Sequence, residues 1–182
     1  RVGLVFVGRL DPQKDLPLLL HALCEVPDVD LTVIGSGPPA YQAELELIAV
    51  DLGVEQRVRW VGWLDHSDVV AQLRHSKMLV VSSVIENYCH AAVEAVASGV
   101  LVVAVDRVLS ARDLQALAGI SISVADSFEL AETIQGGLRG WEASRSARVD
   151  ARAAIGKELR PAAVAVRLRE FMGADTRERE LG

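Results

Sequence analysis

Short apolar runs alternate with longer amphipathic segments along most of the chain, and this alternation limits the fold more than any other feature. Continuous Val, Ile and Leu are typical of strands buried on both faces, as in parallel sheets covered by helices. The pattern predicts an α/β fold, a doubly wound (Rossmann-like) parallel sheet of about six strands. The predicted strands are residues 2–7, 31–34, 58–61, 78–82, 100–105 and 120–124, and the predicted helices lie near 16–26, 40–52, 67–75, 89–98, 109–118, 127–139 and 144–158.

The length of the chain fits one domain. With 182 residues, of which 51% are hydrophobic, it can bury one sizeable core rather than two. We expect this domain to occupy residues 1–172, including a helix after Pro161, and the charged tail 173–182 to be frayed. The sequence begins at Arg1 without a methionine, directly before a strand-like run, so we expect it to be part of a longer chain.

Charge, cysteine content and hydrophobicity indicate which partners and which compartment to expect. A net charge of -6 without a long Lys/Arg run argues against binding to nucleic acid or to an anionic membrane surface. Cys24 and Cys89 lack the spacing of metal ligands, which favours a reducing, cytoplasmic compartment. No apolar stretch approaches the roughly 20 residues of a membrane-spanning helix, so no integral membrane segment is expected.

Residues with distinctive chemistry follow the first and fourth predicted strands. In a doubly wound sheet, ligands bind beyond the carboxyl ends of the strands, where neighbouring strands send their helices to opposite faces. The common strand order 3-2-1-4-5-6 would place the first and fourth loops side by side. The first loop carries Gly8, Arg9 and Lys14. The fourth carries Glu86, and Glu94 lies in the helix that follows it. We therefore expect the two cations and the two glutamates to face each other.

The chemistry of these side chains favours a phosphorylated sugar ligand. The guanidinium of Arg9 and the ammonium of Lys14 suit a diphosphate, and the start of the helix after Glu86 adds unpaired N–H groups. No Lys or Arg lies within a helical turn or two of Glu86 or Glu94 in the sequence, which argues against surface salt bridges. Carboxylates accept hydrogen bonds from hydroxyls, so sugar and ribose diols are their natural partners. Together the residues predict a nucleotide-diphosphate sugar.

Each of these features also has an ordinary explanation. Gly-rich strand-to-helix turns such as GSG are common, and the loop GRLDPQK can carry solvated cations. Glu86 fits a helix-start acid favoured by the helix dipole, and Glu94 can point to solvent. His90 is more often a polar helix-start residue, and Tyr88 a packing aromatic, than a ligand-binding group. The concentration of these residues at one sheet edge is what favours a site.

Four segments together resemble the C-terminal, donor-binding half of the retaining GT-B glycosyltransferases of family GT4, the glycosyl transferases group 1. The segments are VFVGRLDPQKD, LTVIGSGP, VRWVGWLDHSDV and ENYCHAAVEAVASGVLVVA, the last with the spacing E-x7-E. The resemblance covers roughly residues 1–172. It implies a retaining, hexosyltransferase-type enzyme that uses a UDP-, GDP- or ADP-linked sugar.

The resemblance also implies roles for individual residues. Arg9 and Lys14 would contact the donor diphosphate and, with Glu86 on the donor sugar, form the catalytic set. Glu94 would hold the ribose, and the loop 62–65 would form a base pocket. No metal ion or other cofactor is expected. The complete donor-binding set implied by the resemblance is Gly8, Arg9, Lys14, Gly35, Gly37, Glu86, Asn87, Tyr88, Cys89, His90 and Glu94.

The chain departs from the family pattern at three places. Asp15 stands where glycine usually follows the phosphate lysine, and an acid there is expected to weaken the pull of Lys14 on the donor. Residues 87–89 read Asn-Tyr-Cys where the family often has Gly-Phe-Gly. The Gly-Gly-x-x-Glu loop after the fifth strand is replaced by DRVLSARD, residues 106–113, which removes the glycines that allow close backbone approach to phosphates.

Two functional hypotheses follow. The first is a donor domain of a glycosyltransferase in polysaccharide, glycoconjugate or glycolipid biosynthesis, whose acceptor is held by an N-terminal domain outside this sequence. That domain would also bring the cytoplasmic protein to the inner face of the membrane, and this chain alone is expected to be inactive. The alternative is a non-catalytic nucleotide-sugar-binding or scaffold module that has lost turnover. A nicotinamide-dependent dehydrogenase is disfavoured, because residues 8–10 do not supply the G-x-G-x-x-G turn.

Overall fold

A parallel sheet flanked by helices forms the centre of the computed structural model, which describes residues 2–86, 89–108, 115, 121–123 and 125–158. The strands are β1 (Val2–Val7), β2 (Val29–Ile34), β3 (Val58–Gly62), β4 (Met78–Val81), β5 (Leu101–Val105) and β6 (Ser121–Ser123). The α-helices are α1 (Leu16–Cys24), α2 (Pro39–Asp51), α3 (His66–His75), α4 (His90–Ala97), α5 (Ser127–Arg139) and α6 (Arg145–Glu158), with 3-10 helices at Pro12–Lys14 and Glu55–Arg57.

The strand order is β3-β2-β1-β4-β5-β6, and every neighbouring pair is parallel. The predicted fold class and strand order are therefore confirmed. The bounds of the described elements differ from the predicted ones by at most two residues. The predicted helix at 109–118 (apart from Gln115), the helix after Pro161 and the tail 173–182 lie outside the described residues.

The central strands are buried because helices cover both faces of the sheet. All residues of β4 are buried, as the unbroken apolar run Met78–Val81 predicts. Helix α1 contacts α2 and α5, whereas α4 contacts α3 and α6, so the helices form two layers. In the part of the chain that the structure describes, no helix is long and apolar enough to cross a bilayer.

Strand β1 lies at the point where the direction of winding reverses. It pairs with β2 on one side, in register from Val2 opposite Val29, and with β4 on the other, where Leu4 lies opposite Met78. The loops after β1 and β4 therefore emerge next to each other at the carboxyl edge of the sheet. In doubly wound folds this is the crevice in which ligands bind.

Arg57 ties the start of β3 to the end of α1. Its Nη2 donates to the carbonyl oxygen of Leu23 at 2.8 Å, and its Nη1 donates to that of Val26 at 2.8 Å and to that of Val29 at 3.3 Å. The last carbonyls of a helix have no partner within the helix. The guanidinium of Arg57 therefore satisfies acceptors in the turn that leads from α1 into β2.

Replacing this guanidinium is expected to lower stability. Arg57→Met removes all three hydrogen bonds and is expected to reduce the free energy of unfolding by about 1–3 kcal/mol, measured by urea denaturation. The matched control is Arg59→Met, because Arg59 is exposed and, within the described ranges, its guanidinium bonds only the side chains of Thr32 and Gln72. We expect the control to change stability by less than about 0.5 kcal/mol. Equal losses in both variants would contradict the role assigned to Arg57.

Candidate functional site

A cavity of about 330 Å³ opens at the carboxyl edge of the sheet, between the loops that follow β1 and β4. Apolar residues of the two strands, among them Phe6 and Val80, form part of its lining. The polar lining combines both predicted loops with the first residues of α4. Predicted donor-binding residues that line the cavity are Gly8, Arg9, Lys14, Glu86, Cys89, His90 and Glu94. Asn87 and Tyr88, also predicted, lie outside the described residues.

Lys14 and Glu86 form an ion pair inside this cavity. The Nζ of Lys14 donates to Oε2 of Glu86, and the two side chains are only 23% and 17% exposed. The expectation that the cations and glutamates face each other is thus confirmed for this pair. The prediction that Glu86 forms no salt bridge, however, was wrong, because its partner belongs to another loop of the chain.

Three contacts hold the backbone of the Lys14 loop. Asp11 caps the 3-10 helix Pro12–Lys14 by accepting from the N–H of Gln13 at 3.0 Å. The buried hydroxyl of Ser82 donates to the carbonyl oxygen of Lys14 at 2.9 Å, and the N–H of Val84 donates to that of Gln13 at 2.8 Å. The loops after β1 and β4 are therefore joined by hydrogen bonds, which fix the base of the Lys14 side chain.

Arg9 lies at the mouth of the cavity. Its Nη2 is 3.1 Å from Oδ2 of Asp11, and its side chain is 78% exposed. An exposed guanidinium in a weak surface pair can turn toward an incoming anion at small cost. Arg9 and Lys14 thus place two cations on one loop, each in contact with a carboxylate.

Glu94 lies on the side of α4 that faces the cavity and the start of α3. Its Oε1 is 3.7 Å from Nε2 of His66, and the side chains are 33% and 72% exposed. Asp65 fixes the start of α3 by accepting from the N–H of Asp68 at 3.1 Å and from the hydroxyl of Ser67 at 2.8 Å. These hydrogen bonds, that from Ser67 above all, hold the pKa of Asp65 below its usual value. His66 was not among the predicted site residues, because only the folded structure brings α3 beside Glu94.

A second cavity of about 250 Å³ adjoins the first and shares Val7, Gly8 and Arg9 with it. Its other side is formed by residues of the loop 62–65, including Trp63, whose side chain is 73% exposed. This loop was predicted to form a base pocket, and the structure places it against the same arginine as the first cavity. The two cavities therefore border the same loop, with Arg9 in the lining of both.

The glycines of the turn after β2 are required by close packing of the backbone. A Cβ atom on Gly35 would lie 1.8 Å from the carbonyl oxygen of Gly8, and one on Gly37 would lie 2.0 Å from that of Leu10. Gly35 lines the second cavity, whereas Gly37 lines neither cavity. The turn therefore sets the path of the loop that carries Arg9.

A family model described as glycosyl transferases group 1 matches residues 3–153. The chain belongs to this family. It is 34% identical over 125 residues to the D-inositol 3-phosphate glycosyltransferase of Mycobacterium sp. (strain KMS), a match that covers 66% of this chain and 26% of that protein. A similar enzyme of Corynebacterium efficiens is 36% identical over 107 residues, with 54% and 25% covered. The chain thus spans about a quarter of the length of these curated relatives.

Solved glycosyltransferases share the fold. HepE from Anabaena in complex with UDP-glucose superposes with a TM-score of 0.84 and 22% identity, covering 96% of this chain and 49% of that one. The C-terminal domain of the group 1 protein LpcC from Francisella tularensis, solved by itself, gives a TM-score of 0.75 at 18% identity, with 88% and 87% covered. At these identities the likeness concerns the fold. It confirms the expected resemblance to the C-terminal half of GT-B glycosyltransferases.

Two departures of this chain from the family pattern meet in the structure. Asp15 has φ and ψ of 44° and 49°, a left-handed conformation that favours glycine, the usual family residue here, and that aspartate tolerates. Its Oδ2 lies 3.8 Å from Nη1 of Arg107, which belongs to the altered segment after β5. Asp15, which follows Lys14 in the sequence, therefore has Arg107 as a counterion. Residues 109–113 of that segment lie outside the described residues.

Cys89 stands where the family often has the second glycine of its Gly-Phe-Gly segment. The residue is 6% exposed, and burial raises the pKa of its thiol. A thiol of raised pKa is protonated at neutral pH and is a poor nucleophile. Cys89 therefore shapes the wall of the cavity rather than supplying covalent chemistry.

Proposed function

We propose that the joined cavities bind a nucleoside diphosphate sugar and that the domain is the donor half of a retaining glycosyltransferase. The observation that carries this proposal is the meeting of Arg9, Lys14, Glu86 and Glu94 in one cavity at the reversal point of the sheet. Cations for phosphate and carboxylates for hydroxyls are the two kinds of group that such a ligand requires. Membership of the glycosyl transferases group 1 family supports the same ligand class.

The diphosphate lies, in this proposal, between Arg9 and Lys14. Helix α4 begins at His90, which lines the cavity, so the positive end of its dipole lies at the cavity wall. As the bond from sugar to phosphate breaks, negative charge grows on the leaving diphosphate. Cations in contact with that leaving group stabilise the transition state more than the ground state, which accelerates transfer. No metal ion is assigned to this step, so a chelator such as EDTA is expected to leave nucleotide binding unchanged.

The nucleoside extends from the diphosphate toward the second cavity. Glu94 accepts hydrogen bonds from the ribose hydroxyls, with His66 beside it. The exposed ring of Trp63 offers an apolar wall for the base. HepE, which shares the fold, was solved with UDP and with UDP-glucose, and this favours a uridine nucleotide as the first ligand to test.

Sugar transfer itself is proposed for a longer protein. The relatives named above are about four times as long as the matched part of this chain, and we assign the acceptor site to an N-terminal domain. Their name indicates a phosphorylated polyol acceptor in those enzymes. For the present protein, we propose a hydroxyl-bearing acceptor in glycoconjugate, glycolipid or polysaccharide biosynthesis at the cytoplasmic side of the membrane.

The alternative of a non-catalytic donor-binding module rests on the altered segment after β5. Asp106 and Arg107 occupy its start in place of the family's glycines, and Arg107 pairs with Asp15. Hydrolysis or transfer of the sugar from UDP-glucose by the full-length protein separates the two hypotheses. Binding without any turnover would favour the non-catalytic module.

The ribose assignment is the sharpest test of the proposed ligand. Isothermal titration with UDP, GDP and ADP first identifies the preferred base, and the matching 2′-deoxy nucleotide is then compared. We expect the wild type to prefer the ribonucleotide, and Glu94→Gln to bind it roughly ten- to hundredfold more weakly while losing that preference, because a charged hydrogen bond is worth about 1.5–3 kcal/mol.

The control for this experiment is Glu46→Gln, an exposed carboxylate on α2 that lines neither cavity. It should bind both nucleotides like the wild type. If Glu94→Gln discriminates ribose from deoxyribose as well as the wild type does, the ribose is held elsewhere and the proposed orientation of the nucleotide is wrong.

A further inference from the structure

Lys14 and Glu86 form an ion pair, although the proposed function has them bind different parts of the ligand. Lys14 is assigned to the diphosphate and Glu86 to the sugar, yet in the structure the two side chains satisfy each other. Both are less than one quarter exposed. Separating charges at such a site costs more than separating an exposed surface pair, because water replaces the lost partner only in part.

The backbones of both residues are held in place. Glu86 forms a parallel bridge with the buried Val108, and the carbonyl of Lys14 accepts the hydrogen bond from Ser82. A ligand therefore separates the charges by moving side chains rather than loops. The long, flexible side chain of Lys14 can move to a phosphate, whereas the shorter side chain of Glu86 cannot move as far.

No second cation is paired with Glu86 in the described lining of the cavity. The other cation lining the cavity, among the described residues, is Arg9, which is in contact with Asp11 at the mouth. Glu94 is a further carboxylate, and His90 is the remaining titratable base in the lining. A diphosphate that draws Lys14 away thus leaves the carboxylate of Glu86 facing an anion, unless the ligand itself supplies donors.

We propose that the Lys14–Glu86 pair makes the site select the intact nucleotide sugar over the nucleoside diphosphate that remains after transfer. The sugar hydroxyls of the intact donor replace Lys14 as hydrogen-bond partners of Glu86. The nucleoside diphosphate that remains after transfer also binds Lys14, but it has no sugar hydroxyls to donate to Glu86. This inference rests on the proposed function, and it assigns to Glu86 a role in discriminating donor from product and so in limiting product inhibition.

The test compares the affinities of a nucleoside diphosphate and its sugar conjugate in wild type and Glu86→Gln. Isothermal titration uses the pairs UDP and UDP-glucose, GDP and GDP-mannose, and ADP and ADP-glucose. For the pair that binds, the wild type is expected to prefer the conjugate by about tenfold, the value of one charged hydrogen bond. In Glu86→Gln, the free diphosphate is expected to bind several-fold more tightly, and the preference is expected to fall toward unity.

Glu94→Gln is the matched control in the same cavity, since it also converts a carboxylate to an amide. It is expected to weaken the diphosphate and the conjugate alike and to leave their ratio unchanged. A general structural effect of Glu86→Gln would likewise leave the ratio unchanged, so the ratio distinguishes selection from misfolding.

Different failures have different meanings in this experiment. If no pair binds to the wild type, the proposed function is overturned, and this inference falls with it. If nucleotides bind but Glu86→Gln binds the free diphosphate no more tightly than the wild type does, the donor site stands and the selection by the ion pair is overturned. An unchanged ratio in Glu86→Gln would overturn it equally.

Discussion

Gly35→Ala is expected to lower the free energy of unfolding by about 3 kcal/mol or more. Gly35 has a φ of 137°, which L side chains rarely adopt, and its Cβ atom would lie 1.8 Å from the carbonyl oxygen of Gly8. Backbone strain and overpacking each cost about 1–3 kcal/mol. The obstructing atom belongs to the backbone, so no side-chain rotation relieves the contact. Urea denaturation measures the loss.

The matched control for this variant is Gly136→Ala. Gly136 lies within α5, and nothing is within 4 Å of a Cβ atom added there. Alanine is the better helix former, so stability is expected to rise by up to about 1 kcal/mol. Wild-type stability of Gly35→Ala would contradict the close approach of the turns after β1 and β2. A variant that folds is expected to bind nucleotide more weakly, because the displaced Gly8 precedes Arg9.

Lys14→Met is expected to weaken the binding of a nucleoside diphosphate roughly ten- to hundredfold, since the loss of a charge-assisted hydrogen bond costs about 1.5–3 kcal/mol. Methionine keeps an apolar stem of similar length and removes the ammonium group, with its charge and its hydrogen-bond donors. It also leaves Glu86 without its cation, in a cavity that then repels the diphosphate. Isothermal titration with the preferred nucleotide measures the change.

Lys77→Met is the control for the loss of one positive charge. Lys77 directly precedes β4, at the opposite edge of the sheet from the cavity, where its Nζ lies 5.7 Å from the centre of the Trp141 ring. Nucleotide affinity is expected to stay at the wild-type value in this variant. Similar losses in Lys14→Met and Lys77→Met would show a general charge effect and would contradict a specific phosphate contact.

The fold was predictable because burial on both sides of a parallel sheet leaves a direct mark on the sequence. The runs Val2–Val7 and Met78–Val81 contain no polar residue, which few other environments permit. The same reasoning placed the first and fourth loops side by side, since the order of strands in doubly wound sheets is restricted. Arg9, Lys14 and Glu86 were therefore correctly predicted to share one edge.

The contacts between side chains were not predictable in the same way. Lys14 and Glu86 are 72 positions apart, and their pairing depends on side-chain reach as well as strand order. The contact of His66 with Glu94 depends on how α3 packs beside α4. Periodicity reports which face of an element is buried, but it carries no signal for pairs between polar residues of different elements.

The glycines after β2 show how a correct pattern can have a different physical basis. The turn GSG was associated with donor binding through the family resemblance. In the structure, Gly35 and Gly37 leave room for the carbonyl oxygens of Gly8 and Leu10. Their contribution to a donor site is therefore indirect, through the path of the loop that carries Arg9 and Lys14. Asp15 is a similar case. Its left-handed backbone conformation explains why glycine is usual at this position in the family.

A crystal structure of the protein with the nucleotide sugar that titration identifies would show directly which side chains hold each part of the ligand. We expect the diphosphate within hydrogen-bonding distance of Arg9 and Lys14, the ribose hydroxyls bonded to Glu94, and the sugar bonded to Glu86, with the Lys14–Glu86 ion pair broken. A nucleotide sugar bound outside the cavity between the loops after β1 and β4, or bound there with the Lys14–Glu86 pair intact, would contradict this expectation.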